Sequence, residues 1–172
     1  MKSQFLIVAL ILTAFVSAQT KVGTINTDYI ISKMPEFKDV QSKLQVYGKT
    51  LDNGVKEKYT EYETKVKDYQ EKEATFTEAL KQLKQKDIIK LEEDIQKLRT
   101  NSGKLLQVRQ DELFRPLYSK IGDEVEKIVK AEGFTQIFNE NNSLIYIDPN
   151  FDITIKVMKS LGISIEEETT QN

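Results

Sequence analysis

The sequence predicts an α+β chain that is mostly α: a small β body of three short strands carrying one long antiparallel coiled-coil helical hairpin. Three observations predict it. Apolar residues recur in steps of three or four from Phe37 to Tyr69, and a second apolar seam runs from Leu80 to Ile128. That period ends at Gly133 and gives way to short runs of β-branched and aromatic residues. Gly (7 of 172 residues) and Pro (3) are scarce, and charged residues make up 30% against 9% aromatic, with no Trp. Such a mix suits long helices with small cores rather than one large core.

Residues 1–18 read as a targeting segment. Lys2 supplies a positive start, Phe5 to Val16 is apolar apart from Thr13, and Val16-Ser17-Ala18 offers small residues for a signal peptidase. The expectation is cleavage after Ala18. The alternative is an uncleaved anchor, which the short apolar run disfavours. With no Cys, disulfides, thiol catalysis and a lipid-modified cysteine are ruled out, and with no His the usual base near neutral pH is missing. The net charge of −2 and a sequence pI near 5.4 exclude a basic nucleic-acid binder.

The first strand is expected within Val22-Gly-Thr-Ile-Asn26. Thr27 is expected to cap a short helix through Asp28 to Ile31. Pro35 ends that turn by holding Met34 extended, and suits the first turn of the next helix. From Glu36 a seam runs through Phe37, Val40, Leu44, Tyr47, Leu51, Val55, Tyr59, Tyr62, Val66 and Tyr69. Leu51, Val55 and Tyr59 take two successive steps of four, a stutter that locally unwinds a left-handed supercoil. Gly48 and Gly54 weaken the helix beside it.

A second seam takes Leu80, Leu83, Ile88, Leu91, Ile95, Leu98, Leu105 and Leu113, then Leu117, Ile121, Val125 and Ile128. The hairpin turn is expected at Ala74–Thr77 with Thr77 as cap, Lys86-Asp87 being the alternative. The first choice gives arms Glu36–Glu73 and Thr77–Phe114, each roughly 38 residues and about 55–60 Å long. Pro116 is expected to kink the second helix, which continues to Glu132 with Gly133 as its terminating glycine. A β-hairpin is expected from Phe134–Phe138 and Leu144–Ile147 around the turn cluster Asn139–Ser143. Asp152 would cap a last helix, Ile153–Leu161, ahead of a disordered tail over 166–172.

So few short strands cannot bury a core alone, and both faces carry apolar side chains. Val22, Ile25, Phe134, Ile137, Phe138, Leu144, Ile145, Tyr146 and Ile147 are therefore expected to meet further copies of the chain, the plainer alternative being a monomer with one wet sheet face. The pairs Glu61/Lys65, Glu63/Lys67, Glu93/Lys97, Asp123/Lys127 and Glu126/Lys130 are spaced to support exposed helix.

The ordered set Val22-Gly-Thr-Ile-Asn-Thr-Asp-Tyr-Ile-Ile31, Met34-Pro-Glu-Phe37, Pro116-Leu-Tyr-Ser-Lys-Ile121, Ala131-Glu-Gly-Phe-Thr135, Leu144-Ile-Tyr-Ile-Asp-Pro149 and Asp152-Ile-Thr-Ile-Lys-Val157 resembles the Skp/OmpH family of periplasmic chaperones. The resemblance spans the chain after its first segment. It implies a homotrimer whose strands form a β body (19–35 and 116–165), from which three hairpin arms (36–115) enclose a cavity. It also implies ATP-independent holding of unfolded outer-membrane proteins in the periplasm, with no cofactor. The best-known members are strongly basic; this acidic chain departs from them, and no lipopolysaccharide site is carried over.

On that reading Tyr59, Tyr62, Val66, Tyr69, Phe76, Leu80 and Leu83 are the candidate client-binding residues. Their side chains form a softer seam than an all-aliphatic coiled coil, though each can equally serve as helix packing. Pro35 and Pro116 are the candidate hinges. Lys81, Lys84, Lys86 and Lys90 near the turn can touch anionic lipid, or form an ordinary solvated face. A structural coiled-coil envelope protein without client-holding activity is the competing reading. An enzyme is disfavoured: Asp28, Asp148 and Asp152 sit near strand ends without a nucleophile, phosphate loop or metal spacing. A secretion adaptor would need a further β domain.

Overall fold

The structure, a computed structural model, describes residues 20–140 and 145–164. The expected signal segment, the turn residues Asn141–Ser143, Leu144 and the polar tail lie outside the described residues. The chain divides into two units, Met1–Pro35 with Leu117–Asn172, and Glu36–Pro116.

The first unit contains strand β1 (Val22–Ile25), helix α1 (Thr27–Lys33), the last turns of helix α3 (Glu78–Glu132), strand β2 (Gln136–Asn139) and helix α4 (Thr154–Ser160). β1 and β2 pair in parallel, with Val22 opposite Gln136 and Ile25 opposite Asn139. A parallel pair needs a long crossover, and here the connection runs through every helix that lies between the two strands. On the other side of β1, the Thr24 N–H donates to Phe151 O (3.0 Å) and the Ile153 N–H donates to Thr24 O (2.9 Å), forming an isolated parallel bridge between Thr24 and Asp152.

This arrangement corrects the three-strand expectation. Among the described residues the sheet has two strands. Ile145, Tyr146 and Ile147 belong to no strand, and Ile145 is 99% exposed. Residues 151–153 already occupy the side of β1 away from β2, and β2 spends its inner edge on β1 rather than on the segment that follows it.

The core of this unit is small and aliphatic. Ile30, Ile153, Val157 and Met158 are fully buried, with Ile25, Ile31, Met34, Leu117, Ile121, Phe134 and Ile163 close behind. α1 packs on α4. The cap of α1 is Asn26 rather than Thr27: Asn26 Oδ1 accepts from the Tyr29 N–H at 2.9 Å, while the Thr27 hydroxyl donates to Asn139 Oδ1 at 2.8 Å. α4 starts after Ile153, one residue later than expected, because Asp152 Oδ1 accepts from the Thr154 N–H in a local turn (2.8 Å). Both α3 and α4 end on left-handed glycines, Gly133 (φ 72) and Gly162 (φ 71). After each, the next residue's N–H reaches back to a carbonyl of the last turn, Phe134 to Val129 O and Ile163 to Met158 O.

The second unit is a helical hairpin. Helix α2 (Phe37–Lys72, 36 residues) is joined by a 3-10 turn (Glu73–Thr75) to α3. Thr77 Oγ1 accepts a long bond from the Leu80 N–H (3.4 Å), so the turn falls where the first alternative placed it and Asp87 lies inside the helix. α3 passes through Pro116 as one continuous helix. At the base of the hairpin Phe37 and Phe114 meet edge to face at 6.2 Å. Among the described residues no helix is long and apolar enough to cross a membrane.

Candidate functional site

The chemistry available in this chain lies along the hairpin. Among the described residues no group of His, Cys, Asp and Glu could hold a metal ion. The seam is tight at Leu91 (7% exposed) and Ile95 (4%), where aliphatic side chains on α3 meet α2. Toward the middle of the arm it loosens. Leu51 and Val55 of α2, and Leu98, Ser102 and Leu106 of α3, are only half-buried. Leu51, Val55, Ser102 and Leu106 border a cavity of about 540 Å³ that Gly48, Gly103, Tyr59, Asp52, Lys56 and Arg99 also line.

Sequence explains the opening. The stutter expected at Leu51, Val55 and Tyr59 faces a second one on α3, at Leu98, Ser102 and Leu106. Two successive steps of four on both helices unwind the supercoil at the same level. The pattern had placed Leu105 on the seam; it is 47% exposed, and Leu106 takes the inward position. Gly48 and Gly103 contribute no side chain. A Cβ on Gly48 would touch only Leu106 Cδ1 at 3.8 Å, and one on Gly103 would meet nothing within 4 Å. The Ser102 hydroxyl is buried without a hydrogen-bond partner. Arg109, the other polar residue on this seam, ion-pairs with Glu112 (2.9 Å) and stands over the Tyr47 ring at 5.9 Å.

The expected client-binding residues do not form one patch. Tyr59 is 43% exposed and its ring lies 6.0 Å from that of Tyr62, tilted by 34°. Val66, Tyr69, Phe76 and Leu80 are half-buried, and Leu83 is 56% exposed, off the seam. Lys84 takes the inward position instead and ion-pairs across the hairpin with Asp68 at 3.8 Å. The Tyr69 ring lies 6.1 Å from that of Phe76, tilted by 49°, and its hydroxyl donates to Glu73 (3.1 Å) and accepts from Gln85 Nε2 (2.7 Å). Desolvation, then the neighbouring Glu73 carboxylate, raises the Tyr69 phenol above its ordinary value. Tyr69 and Phe76 thus brace the turn. Ser102, polar on an apolar seam, and Gly48, beside the stutter, are legible in the sequence as weak points of the arm; Gly103 and the gap that the three border are not.

Of the residues expected to meet other copies, Ile25 and Phe134 are consumed by the chain's own core. Val22 (38%), Phe138 (58%), Ile145 and Tyr146 (79%) are exposed, and Ile137 and Ile147 are half-buried. Of the lysine cluster, Lys84 is held by Asp68, while among the described residues Lys81, Lys86 and Lys90 have no ion pair. Along the helices Glu61–Lys65 (3.5 Å), Glu93–Lys97 (3.8 Å) and Glu126–Lys130 pair as spaced. Lys67 turns to Glu71 instead of Glu63, and Lys127 to Glu124 instead of Asp123.

Residues 21–161 match the family model described as outer membrane protein (OmpH-like). The chain is 30% identical over 160 residues to the chaperone protein Skp of Yersinia enterocolitica, covering 88% of this chain and 93% of that protein. It is 26% identical to the chaperone protein Skp of Pectobacterium atrosepticum, covering 87% and 90%. In fold it is similar to a crystal structure of a candidate outer membrane chaperone (OmpH-like) from Caulobacter crescentus, with a TM-score of 0.64 at 13% identity over 84% of this chain and 85% of that one.

Proposed function

The chain belongs to the Skp/OmpH-like family of outer membrane chaperones, and from that premise we propose that it is an ATP-independent holdase for unfolded outer-membrane proteins. The observation that carries the reading is apolar surface left open along a long helical hairpin. Tyr59, Leu83, Leu105 and Val108 are each between two-fifths and three-fifths exposed on helices that also carry a partly open seam. A structural spacer would close such a seam with aliphatic knobs. A client segment gains about 25 cal/mol for each Å² of apolar surface it buries there, before ordering costs. Many weak contacts within one enclosure add through effective concentration.

The enclosure in this reading is a homotrimer. β2 is paired on one side only within the described chain, and Phe138 stands exposed on it. Val22, Ile145 and Tyr146 supply further uncovered apolar surface. Burying these against sister copies gives the small body the core that one chain lacks. We place the protein in the periplasm, exported by residues 1–18 with cleavage after Ala18, the hairpin between Pro35 and Pro116 acting as the arm. Lys81, Lys86 and Lys90 would make peripheral contact with anionic lipid; no nucleic-acid contact is proposed.

The test is aggregation of a urea-denatured outer-membrane barrel diluted into buffer without nucleotide. The protein, at several-fold excess over client, is expected to suppress light scattering. Scattering equal to that with an inert coiled coil would overturn the reading.

A further inference from the structure

We infer that the mid-arm gap is a specific pocket for one large apolar side chain of the client, taken preferentially where a carboxylate lies next to it in the client sequence. This rests on the holdase reading and adds a site and a preference to it. The hairpin does not fill this space itself. Leu51, Val55 and Leu106 give it apolar walls, and Gly48 and Gly103 leave out the side chains that would close it. A cavity of about 540 Å³ has room for an aromatic ring.

Two features separate it from loose packing. The Ser102 hydroxyl is buried with no partner, a costly state for a polar group that the hydroxyl of an entering tyrosine would relieve. The charges at the mouth are also unspent. Lys58, Lys65, Lys72 and Lys97 elsewhere on the arm are held in ion pairs, whereas among the described residues the side chains of Arg99 and Lys56 at the gap have no ion pair or hydrogen bond. Asp52, on the same rim, leaves the mouth with one excess positive charge. An apolar slot beside an unpaired guanidinium favours an aromatic or large aliphatic residue adjacent to Asp or Glu, and disfavours the same residue adjacent to Lys.

The experiment places the photo-crosslinker p-benzoylphenylalanine at Tyr59, on the rim of the gap, or at Leu83, away from it, in the otherwise intact mature protein. Each is mixed with a denatured outer-membrane barrel, and the crosslinked client peptides are identified by mass spectrometry. The expected result at Tyr59 is enrichment of segments with an apolar residue next to an acid. Ser102→Leu and, separately, Gly103→Leu fill the gap and should lower the Tyr59 yield about tenfold, a change equivalent to losing one order in affinity. The Leu83 yield should stay unchanged. Arg99→Gln should erase the acidic bias.

Gly103→Leu also raises helix propensity, and the unchanged Leu83 yield separates a filled gap from a folding defect. Crosslinks at Tyr59 that ignore both gap-filling variants, lack any acidic bias, or join lipid instead of client overturn the inference while leaving the holdase reading intact. Absence of client crosslinks at both positions overturns the holdase reading itself.

Discussion

Asn139 Oδ1 accepts two hydrogen bonds from Thr27, one from its backbone N–H (3.1 Å) and one from its hydroxyl (2.8 Å). The two residues are 112 positions apart. The contact locks the end of β2 to the start of α1, directly after the parallel pair it follows. Asn139→Ala is expected to cost about 1–2 kcal/mol in urea unfolding, and Thr27→Val to add little on top because the hydroxyl it removes has by then lost its acceptor. Fully additive losses would show that the contact is not formed in solution.

Gly23 sits where no side chain fits. A Cβ there would lie 2.7 Å from Phe134 Cε1, 2.7 Å from Phe151 O and 2.9 Å from Ile137 Cδ1. The carbonyl belongs to the backbone that brackets Thr24, so it cannot move without breaking the bridge. Gly23→Ala is expected to destabilise by about 1–3 kcal/mol. Gly122→Ala, on an open face of α3 with nothing within 4 Å, should instead stabilise by up to about 1 kcal/mol. Chemical denaturation of both variants checks the contrast.

The Tyr59 and Tyr62 rings form an accessible tilted pair on α2. Replacing both by Ala should weaken client holding by about 1–2 kcal/mol, or roughly tenfold, in a fluorescence titration with unfolded barrel protein. Far-UV circular dichroism should be unchanged, because Ala is the strongest helix former. Equal affinity in the double variant would assign the pair to packing alone.

Glu132 joins three parts of the first unit. Its carboxylate takes Lys156 Nζ on both oxygens at 2.7 Å and lies 3.7 Å from Lys21 Nζ, which also donates to the Glu132 carbonyl (2.9 Å). Hydrogen bonding from Lys156, against an opposing desolvation, holds the carboxyl below its ordinary 4.5. A depressed folded value means the stabilisation is present above pH 4.5 and is lost as pH falls through the lower folded value. The melting temperature of the natural protein should therefore fall more steeply below pH 4.5 than that of Glu132→Gln. Parallel pH profiles would refute the assignment.

Phe138 lies on the open side of β2 and is 58% exposed. In the trimer we propose, Phe138→Lys places a charge on the paired edge, a device that blocks strand addition. Sedimentation velocity should then show a monomer with native helix content. A trimer surviving the substitution would move the interface elsewhere.

Sequence periodicity identified the hairpin because helix formation is a local matter: steps of three and four along one face, Thr77 at the turn and Gly133 at the stop are each visible within a few residues. The stutter was legible on α2, and its partner on α3 was not, because Leu105 and Leu106 are equivalent as letters. Which of them faces inward depends on the phase of both helices together.

The strand pairing was beyond local pattern. Phe134–Phe138 and the run ending at Ile147 have the composition of a hairpin, and the turn residues between them strengthen that reading. The partner β2 takes is β1, joined in register through Val22 and Gln136. Nothing near either strand in the sequence marks the other.

By itself the sequence determined the elements, because hydrogen bonds within a helix and the capping of its ends are settled over four or five residues. Only the tertiary structure decided that β1 and β2 form a parallel pair, that residues 151–153 bridge to Thr24, and that a gap opens between Gly48 and Gly103. Those depend on groups far apart in the chain competing for one edge or one volume, and that competition is resolved only in three dimensions.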